Sequence, residues 1–314
     1  MKAAVYYGPN DIKIENIEDP ICPNGGLLVK VEACGICGSD IRTYKVGSST
    51  IIPPQVLGHE FCGIIVESKC AEFKKGSKVV VAPDSYCHKC DSCLKGFNNL
   101  CVNMKSIGIN TNGGFAEYVS VSPEHIFSGA VYHVGKLPET GACLAEPLAC
   151  CINGQEAANV SLGDRVLIIG AGPIGLMHLE LAKRSGAVQV IVSEVSEKRS
   201  ELARELGADL VINPQKDDLE VMTEKLTKSN GFDVVIVPMC QETALRYSAA
   251  GGRILFFGGL AKGTTVSLDT NLLHYGQRSI LGCSAFKPYH FRKAIALLEC
   301  GHISWEKYID AEFD

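Results

Sequence analysis

Hydrophobic positions along the chain follow two rhythms, and the change comes near residue 155. Before it, short β-branched runs are separated by turns rich in Gly and Pro. Leu27 to Val31, Gly63 to Glu67 and Lys78 to Ala82 each read as a strand. After it, strand and helix patterns alternate. Arg165 to Ile169 reads as a buried strand, and Pro173 to Ser185 is a helix with Pro173 in its first turn and Gly186 just past its end. Val188 to Ser193 is the next strand. Glu197 to Leu206 then forms a helix that puts Leu202, Ala203 and Leu206 on one face, closed by Gly207. Leu210 to Ile212, Asp233 to Val237, Arg253 to Phe257 and Ser279 to Leu281 continue the series, and Tyr289 to Cys300 is an amphipathic helix. The pattern predicts an α/β chain: an irregular β-rich domain, then a doubly wound parallel sheet.

A length of 314 residues fits about two domains. Apolar residues at 46% and charged residues at 21% are the balance of a globular protein. The net charge of −5 comes without a basic stripe, which argues against nucleic acid or an anionic membrane as partner. The N-terminus, MKAAVYYGPNDIKIENIEDP, lacks the apolar run of a signal peptide, and Val166 to Ile169 and Val234 to Val237 are strand-sized rather than membrane-spanning. A cytoplasmic location is the expectation. Fifteen cysteines in a reducing compartment point to metal ligation or reactivity where they cluster. Cys22, Cys34, Cys62, Cys70, Cys240, Cys283 and Cys300 stand singly and read mostly as small buried thiols.

Gly170-Ala171-Gly172-Pro173-Ile174-Gly175 fits G-x-G-x-x-G and lies between an apolar strand and a helix, the context the pattern needs. The first Gly permits the turn, the second lets backbone approach a pyrophosphate, and the third lets helix and strand pack. The helix N-terminus then offers unpaired N–H groups to the phosphates. Glu194, 24 residues after Gly170, ends the next strand, where a carboxylate accepts ribose hydroxyls and repels a 2′-phosphate. The expectation is NAD rather than NADP, with Gly170, Gly172, Pro173, Ile174, Gly175, Glu194 and Arg199 as cofactor-binding residues.

Cys87, Cys90, Cys93 and Cys101 place four thiols within fifteen residues. Such spacing closes a tetrahedron around one zinc and leaves no open position, so the site reads as structural, pinning a lobe from about 84 to 104. An iron–sulfur cluster is the rival. Its bacterial spacing continues with a three-residue gap and a Pro after the fourth Cys, whereas here the gap is seven and Val102 follows.

Three further segments carry ligand types: Gly35-Ile36-Cys37-Gly38-Ser39-Asp40, Gly58-His59-Glu60 and Glu146-Pro147-Leu148. Spacing alone does not join them. Taken in order, however, GICGSD, GHE, the four-cysteine lobe, GGFAEY (Gly113 to Tyr118), EPLAC and GAGPIG resemble the zinc-containing medium-chain alcohol dehydrogenases over nearly the whole chain. The resemblance is nearest the polyol branch, with sorbitol and galactitol-phosphate dehydrogenases, and threonine dehydrogenases are near relatives.

That resemblance implies a GroES-like catalytic domain over 1–154, a Rossmann NAD-binding domain over 155–285, and a shortened return toward the catalytic domain over 286–314. It implies two zinc ions per chain. The catalytic one is held by Cys37, His59 and Glu146, with Glu60 as an exchangeable or outer ligand; the structural one is held by the four lobe cysteines. Asp40 is similar to the family carboxylate that orients the ligating His, and Ser39 to the hydroxyl that relays the substrate proton. The implied reaction is hydride transfer between a secondary alcohol and NAD by a homodimer or homotetramer. A catalytically silent NAD-binding paralogue is the rival from another class.

Three features depart from the family pattern. Arg42 stands where many members end the proton relay with a His, and an arginine does not shuttle protons at neutral pH. The chain stops at Asp314, short of the family's usual last helix and closing strand: either the sequence is truncated or that strand is absent, and a missing strand would expose an edge of the catalytic sheet. Pro238, in Ile236-Val237-Pro238-Met239-Cys240, has no explanation in the pattern. Cys143, Cys150 and Cys151 flank Glu146 and are assigned to packing.

Overall fold

The computed structural model describes residues 1–237, 243–260 and 263–313. Pro238 and Cys240 lie outside the described residues. The chain divides into two compact units: Met1–Ala149 together with the segment from Phe286 onward, and Cys150–Ala285. The division falls within the helix Ala145–Ala157.

The first unit is built on a five-stranded antiparallel sheet, in the order Val131–His133, Lys78–Val81, Glu60–Ser68, Leu27–Gly35, Tyr118–Val121. Side chains alternate across a strand, so Leu27 and Val29, Phe61 and Ile65, Val79 and Val81, and Val119 and Val121 turn to one core. These residues are almost wholly buried, and each contributes about 1.5–3 kcal/mol of hydrophobic stabilisation. A smaller sheet joins Asp11–Asn16, Lys2–Gly8 and Gln55–Val56. The helix Pro288–Glu299 buries Phe291, Ala294, Ile295 and Leu298 at helical spacing. Tyr132 Oη donates to the Pro288 carbonyl and the Gly135 N–H to Glu299, which ties this segment to the first unit.

The second unit is a six-stranded parallel sheet in the order Leu210–Ile212, Gln189–Ser193, Arg165–Ile169, Phe232–Val237, Ser248–Phe256, Ser279–Gly282. The strand order reverses beside Arg165–Ile169, which is where ligands bind in open α/β sheets. The loop that follows this strand is the glycine-rich turn. Two features were not read from the sequence. The helix Leu219–Thr227 starts at Asp218, whose carboxylate accepts the N–H groups of Glu220 and Val221. The strand Ser248–Phe256 begins five residues before Arg253: Ser248 pairs with Phe232 and the register then shifts before Arg253, across a Ser-Ala-Ala-Gly-Gly stretch that carries no apolar signal.

Candidate metal centres and cofactor loop

Cys37, His59 and Glu60 come together in the first unit, with one ligand atom of each within 4.8 Å of the others. The scaffold explains how. Gly35 ends one central strand and pairs with Glu60, which begins its neighbour. A Cβ at Gly35 would meet the Glu60 carboxylate, so any larger residue there would push that carboxylate from its present place. Cys37 is the N-cap of the helix Gly38–Val46 and accepts its N-terminal backbone N–H. Asp40 accepts the Cys37 N–H at 2.9 Å and the Gly58 N–H, so one buried carboxylate ties the cysteine segment to the histidine segment. Asp40 Oδ1 lies 3.6 Å from His59 Nδ1, close but beyond hydrogen-bond length. His59 Nδ1 has no hydrogen-bond partner in its buried setting.

The motif GGFAEY has a structural role beside this cluster. Gly113, Gly114 and Phe115 donate their N–H groups to the carbonyls of Val56, Gly58 and Leu57. A Cβ at Gly108 or Gly113 would strike the Gly58 carbonyl. These glycines form a shelf pressed against the backbone just before His59, which fixes the height at which the imidazole enters.

Glu146 sits in the first turn of the helix Ala145–Ala157 and is 8% exposed. Its charge is felt at His59, and those of His59, Glu60 and Cys37 are felt at Glu146. Burial raises Glu146 well above the carboxylate range, lifts Glu60 to about 7, and lifts the Cys37 thiol to about 11, with the Glu60 charge adding to the last. For His59, burial pulls downward, yet Glu146, Asp40 and Glu60 together leave it raised. Burial drives the two glutamates and the cysteine toward their protonated forms, and the buried acids around the imidazole do the same for His59. A divalent cation relieves that crowding by replacing the protons. One thiol, one imidazole and two carboxylates are also a donor set suited to zinc, so the residues fit the metal. Ser39 donates its hydroxyl to the Cys37 sulfur, and Arg42 is exposed on the same helix.

Asp84 is a neighbour of this cluster that the sequence reading missed. It is 4% exposed, accepts the Ser106 hydroxyl, and its charge reaches both His59 and Glu146. In Pro83-Asp84-Ser85 it reads as a turn residue, and only the fold shows it buried.

The sulfurs of Cys87, Cys90, Cys93 and Cys101 lie within 4.8 Å of one another. Cys90 caps the short helix Asp91–Leu94, and the Cys87 N–H donates to the Cys101 sulfur at 3.3 Å. Backbone N–H groups, foremost that of Lys89, bring the Cys87 thiol down to about 5, whereas burial pushes Cys93 up to about 12. Cys143 and Cys151 are buried, Cys143 donating to the Ala33 carbonyl, and Cys150 is half-buried. Cys300, expected with the small buried thiols, is exposed, because it follows the last turn of its helix on the polar side.

In the second unit Gly170 has φ +104°, and a Cβ at Gly175 would collide with the Gly170 carbonyl, so these two glycines set the turn and the helix-on-strand packing. Pro173 and Ile174 open the helix Pro173–Arg184, with Gly172 as its N-cap. Glu194 follows the strand Gln189–Ser193, and Arg199 is exposed in the first turn of the helix Glu197–Glu205.

Comparison with known proteins agrees with these features. Residues 23–136 match the alcohol dehydrogenase GroES-like domain, and residues 173–299 match the zinc-binding dehydrogenase domain. The chain is 35% identical to the L-threonine 3-dehydrogenase of Pyrococcus horikoshii, over 100% of this chain and 90% of that protein. It is 32% identical to the D-arabitol-phosphate dehydrogenase of Enterococcus avium, over 98% and 88%. A protein of Sinorhizobium meliloti 1021 named as a zinc-binding dehydrogenase, solved bound to NADP, superposes with a TM-score of 0.88 at 33% identity, covering 96% of this chain and 89% of that one. Among the described residues no helix is long and apolar enough to cross a membrane. The chain belongs to the zinc-binding alcohol dehydrogenase family, with a GroES-like domain joined to a Rossmann-type domain.

Proposed function

We propose that this chain is a zinc-dependent dehydrogenase that transfers a hydride between NAD and a secondary alcohol of a polyol, sugar alcohol or sugar-alcohol phosphate. The observation that carries the reading is the meeting of Cys37 with the adjacent His59 and Glu60, from two separate segments, within 4.8 Å. Cys37, His59 and Glu146 hold the catalytic zinc, with Glu60 exchanging or lying just outside, and the four lobe cysteines hold the structural one. Bound there, zinc would supply Lewis acidity that lowers the pKa of an alcohol, and NAD would supply the hydride acceptor.

The chain's own residues do the rest. Ser39, hydrogen-bonded to Cys37, takes the substrate proton outward; Arg42 cannot continue the relay, so water follows Ser39. Asp40 keeps the Cys37 and His59 segments in register. Glu194 accepts ribose hydroxyl donation and repels a 2′-phosphate. The Sinorhizobium neighbour is solved with NADP, so the choice of NAD rests on Glu194 itself. A cytoplasmic homodimer or homotetramer, with domains at 1–154 and 155–285, completes the reading.

A second substrate reading, oxidation of L-threonine at its secondary alcohol, is favoured by the Pyrococcus relative. The deciding experiment supplies the zinc-loaded protein with NAD or NADP and a panel of polyols, polyol phosphates and L-threonine, and follows nucleotide reduction. Turnover of a polyol with NAD, abolished by chelator, is expected. Reduction of NADP in preference to NAD would show Glu194 misassigned, turnover of threonine alone would select the second reading, and activity indifferent to chelation would overturn the zinc chemistry.

A further inference from the structure

Glu194 is 5% exposed, and the protein itself already engages its carboxylate. Oε2 accepts the Ala171 N–H at 2.7 Å. Oε1 accepts the N–H groups of Val195 at 2.9 Å and Ser196 at 2.8 Å. One side chain therefore joins the glycine-rich turn after the first strand to the turn that opens the helix Glu197–Glu205. A carboxylate has about four acceptor positions. Oε1 has filled both of its own, and Oε2 has one left.

The turn's donors can be counted the same way. The Gly170 N–H goes to the Ser193 carbonyl at 2.7 Å, that of Ala171 goes to Glu194, and Pro173 has none. What remains for a phosphate is the N–H groups of Gly172, Ile174 and Gly175 at the start of the helix. The Glu194 bonds are charge-assisted, the stronger class of hydrogen bond, and they hold the turn from a buried position.

We propose that Glu194 is a positioning residue of the cofactor site. It holds the glycine-rich turn in the shape that receives a pyrophosphate, and it offers one acceptor, on Oε2, to one ribose hydroxyl. The second half rests on the cofactor reading above; the first half stands without it.

The test uses the full chain with no nucleotide and follows amide hydrogen exchange in Glu194→Ala and Glu194→Gln. In Glu194→Ala the amides of Ala171, Val195 and Ser196 exchange about tenfold faster or more. In Glu194→Gln the oxygen keeps Val195 and Ser196 protected, while Ala171 alone speeds up, because an NH2 group cannot accept its N–H. Unchanged exchange at Ala171 in both variants overturns the positioning role. The acceptor count is read separately in the unsubstituted protein, from the affinities of NAD analogues lacking the 2′- or the 3′-hydroxyl of the adenosine ribose. One analogue binds about tenfold more weakly and the other binds like NAD. An equal loss with both overturns the single acceptor. Faster exchange in a chain that binds no NAD keeps the positioning role and overturns the cofactor reading.

Discussion

Two clusters in the first unit bring metal-ligand side chains together, and they are built in opposite ways. The cysteine lobe takes its four sulfurs from fifteen consecutive residues, and turns and one short helix suffice to converge them. Its partly buried core, Tyr86, Cys93 and Cys101 with Met104, is small. The Cys37, His59, Glu60 and Glu146 cluster draws on three places along the chain and is held by the central sheet, a glycine shelf and a buried carboxylate. The difference teaches where each site keeps its stability. With so small a core, the lobe would depend on a bound ion to stay folded. The dispersed site is shaped by the core, so it would keep its form without an ion, as the proposed catalytic role requires.

The largest expected effect separates the two. His59→Ala lowers turnover on the order of 10³-fold or more, through lost Lewis acidity, while thermal unfolding barely moves. Steady-state kinetics beside a melting curve check this, and a parallel collapse in stability would blur the contrast. Cys93→Ser gives the mirror image: the lobe loses its ion, and Tm drops by roughly 5–10 °C. Under the two-zinc reading each variant holds one zinc fewer than the unsubstituted protein by metal analysis, and an unchanged zinc content would show that the substituted residue is not a ligand.

Ser39→Ala is the next in size. It removes the relay hydroxyl without touching the ligands, so alcohol oxidation falls about 10²-fold at unchanged zinc content. Full turnover in this variant would remove Ser39 from the mechanism.

The smallest effect lies in the second unit and sharpens the comparison by showing an imidazole with no ligand role. His178, in the helix Pro173–Arg184, is fully buried with neither ring nitrogen hydrogen-bonded, and it stands edge-on to Phe257 with ring centroids 4.7 Å apart. Burial lowers it to about 3 from an ordinary 6.5. It is neutral in both folded and unfolded chains above pH 6.5. As pH falls below that, the unfolded chain takes a proton the buried ring refuses, so stability is lost progressively toward pH 3. His178→Leu should therefore flatten that acid slope and add about 1–3 kcal/mol near neutrality by removing unsatisfied buried nitrogens. Denaturant titrations at neutral and mildly acidic pH measure both, and an unchanged slope would sink the account.

Much of this was legible in the residues. Arg165–Ile169 and Leu210–Ile212 have the bounds their apolar runs imply, and the helices after the glycine-rich turn end within a residue of expectation, since period and punctuation are local. The helix Leu219–Thr227 has an apolar stripe of Leu219, Met222 and Leu226, but it is short and shares its buried face with Thr223 and Thr227, whose hydroxyls bond back to the helix, so the period is weak in the sequence. In the dispersed site, ligand types were visible but their meeting was not. Only the ordered family resemblance joined them on paper, and Asp84 had no signal at all.

By itself, then, the chain determined its alternation of strands and helices, the phosphate-type turn and the four-cysteine lobe, because each is decided by neighbours within a few residues. The tertiary structure alone decided that Cys37, His59 and Glu60 share one small volume with the Glu146 charge beside them, that Asp84 is buried next to them, and that Glu194 spends its carboxylate on the turn. Those facts depend on strand register and on which backbones press together, and no local pattern of side chains encodes either.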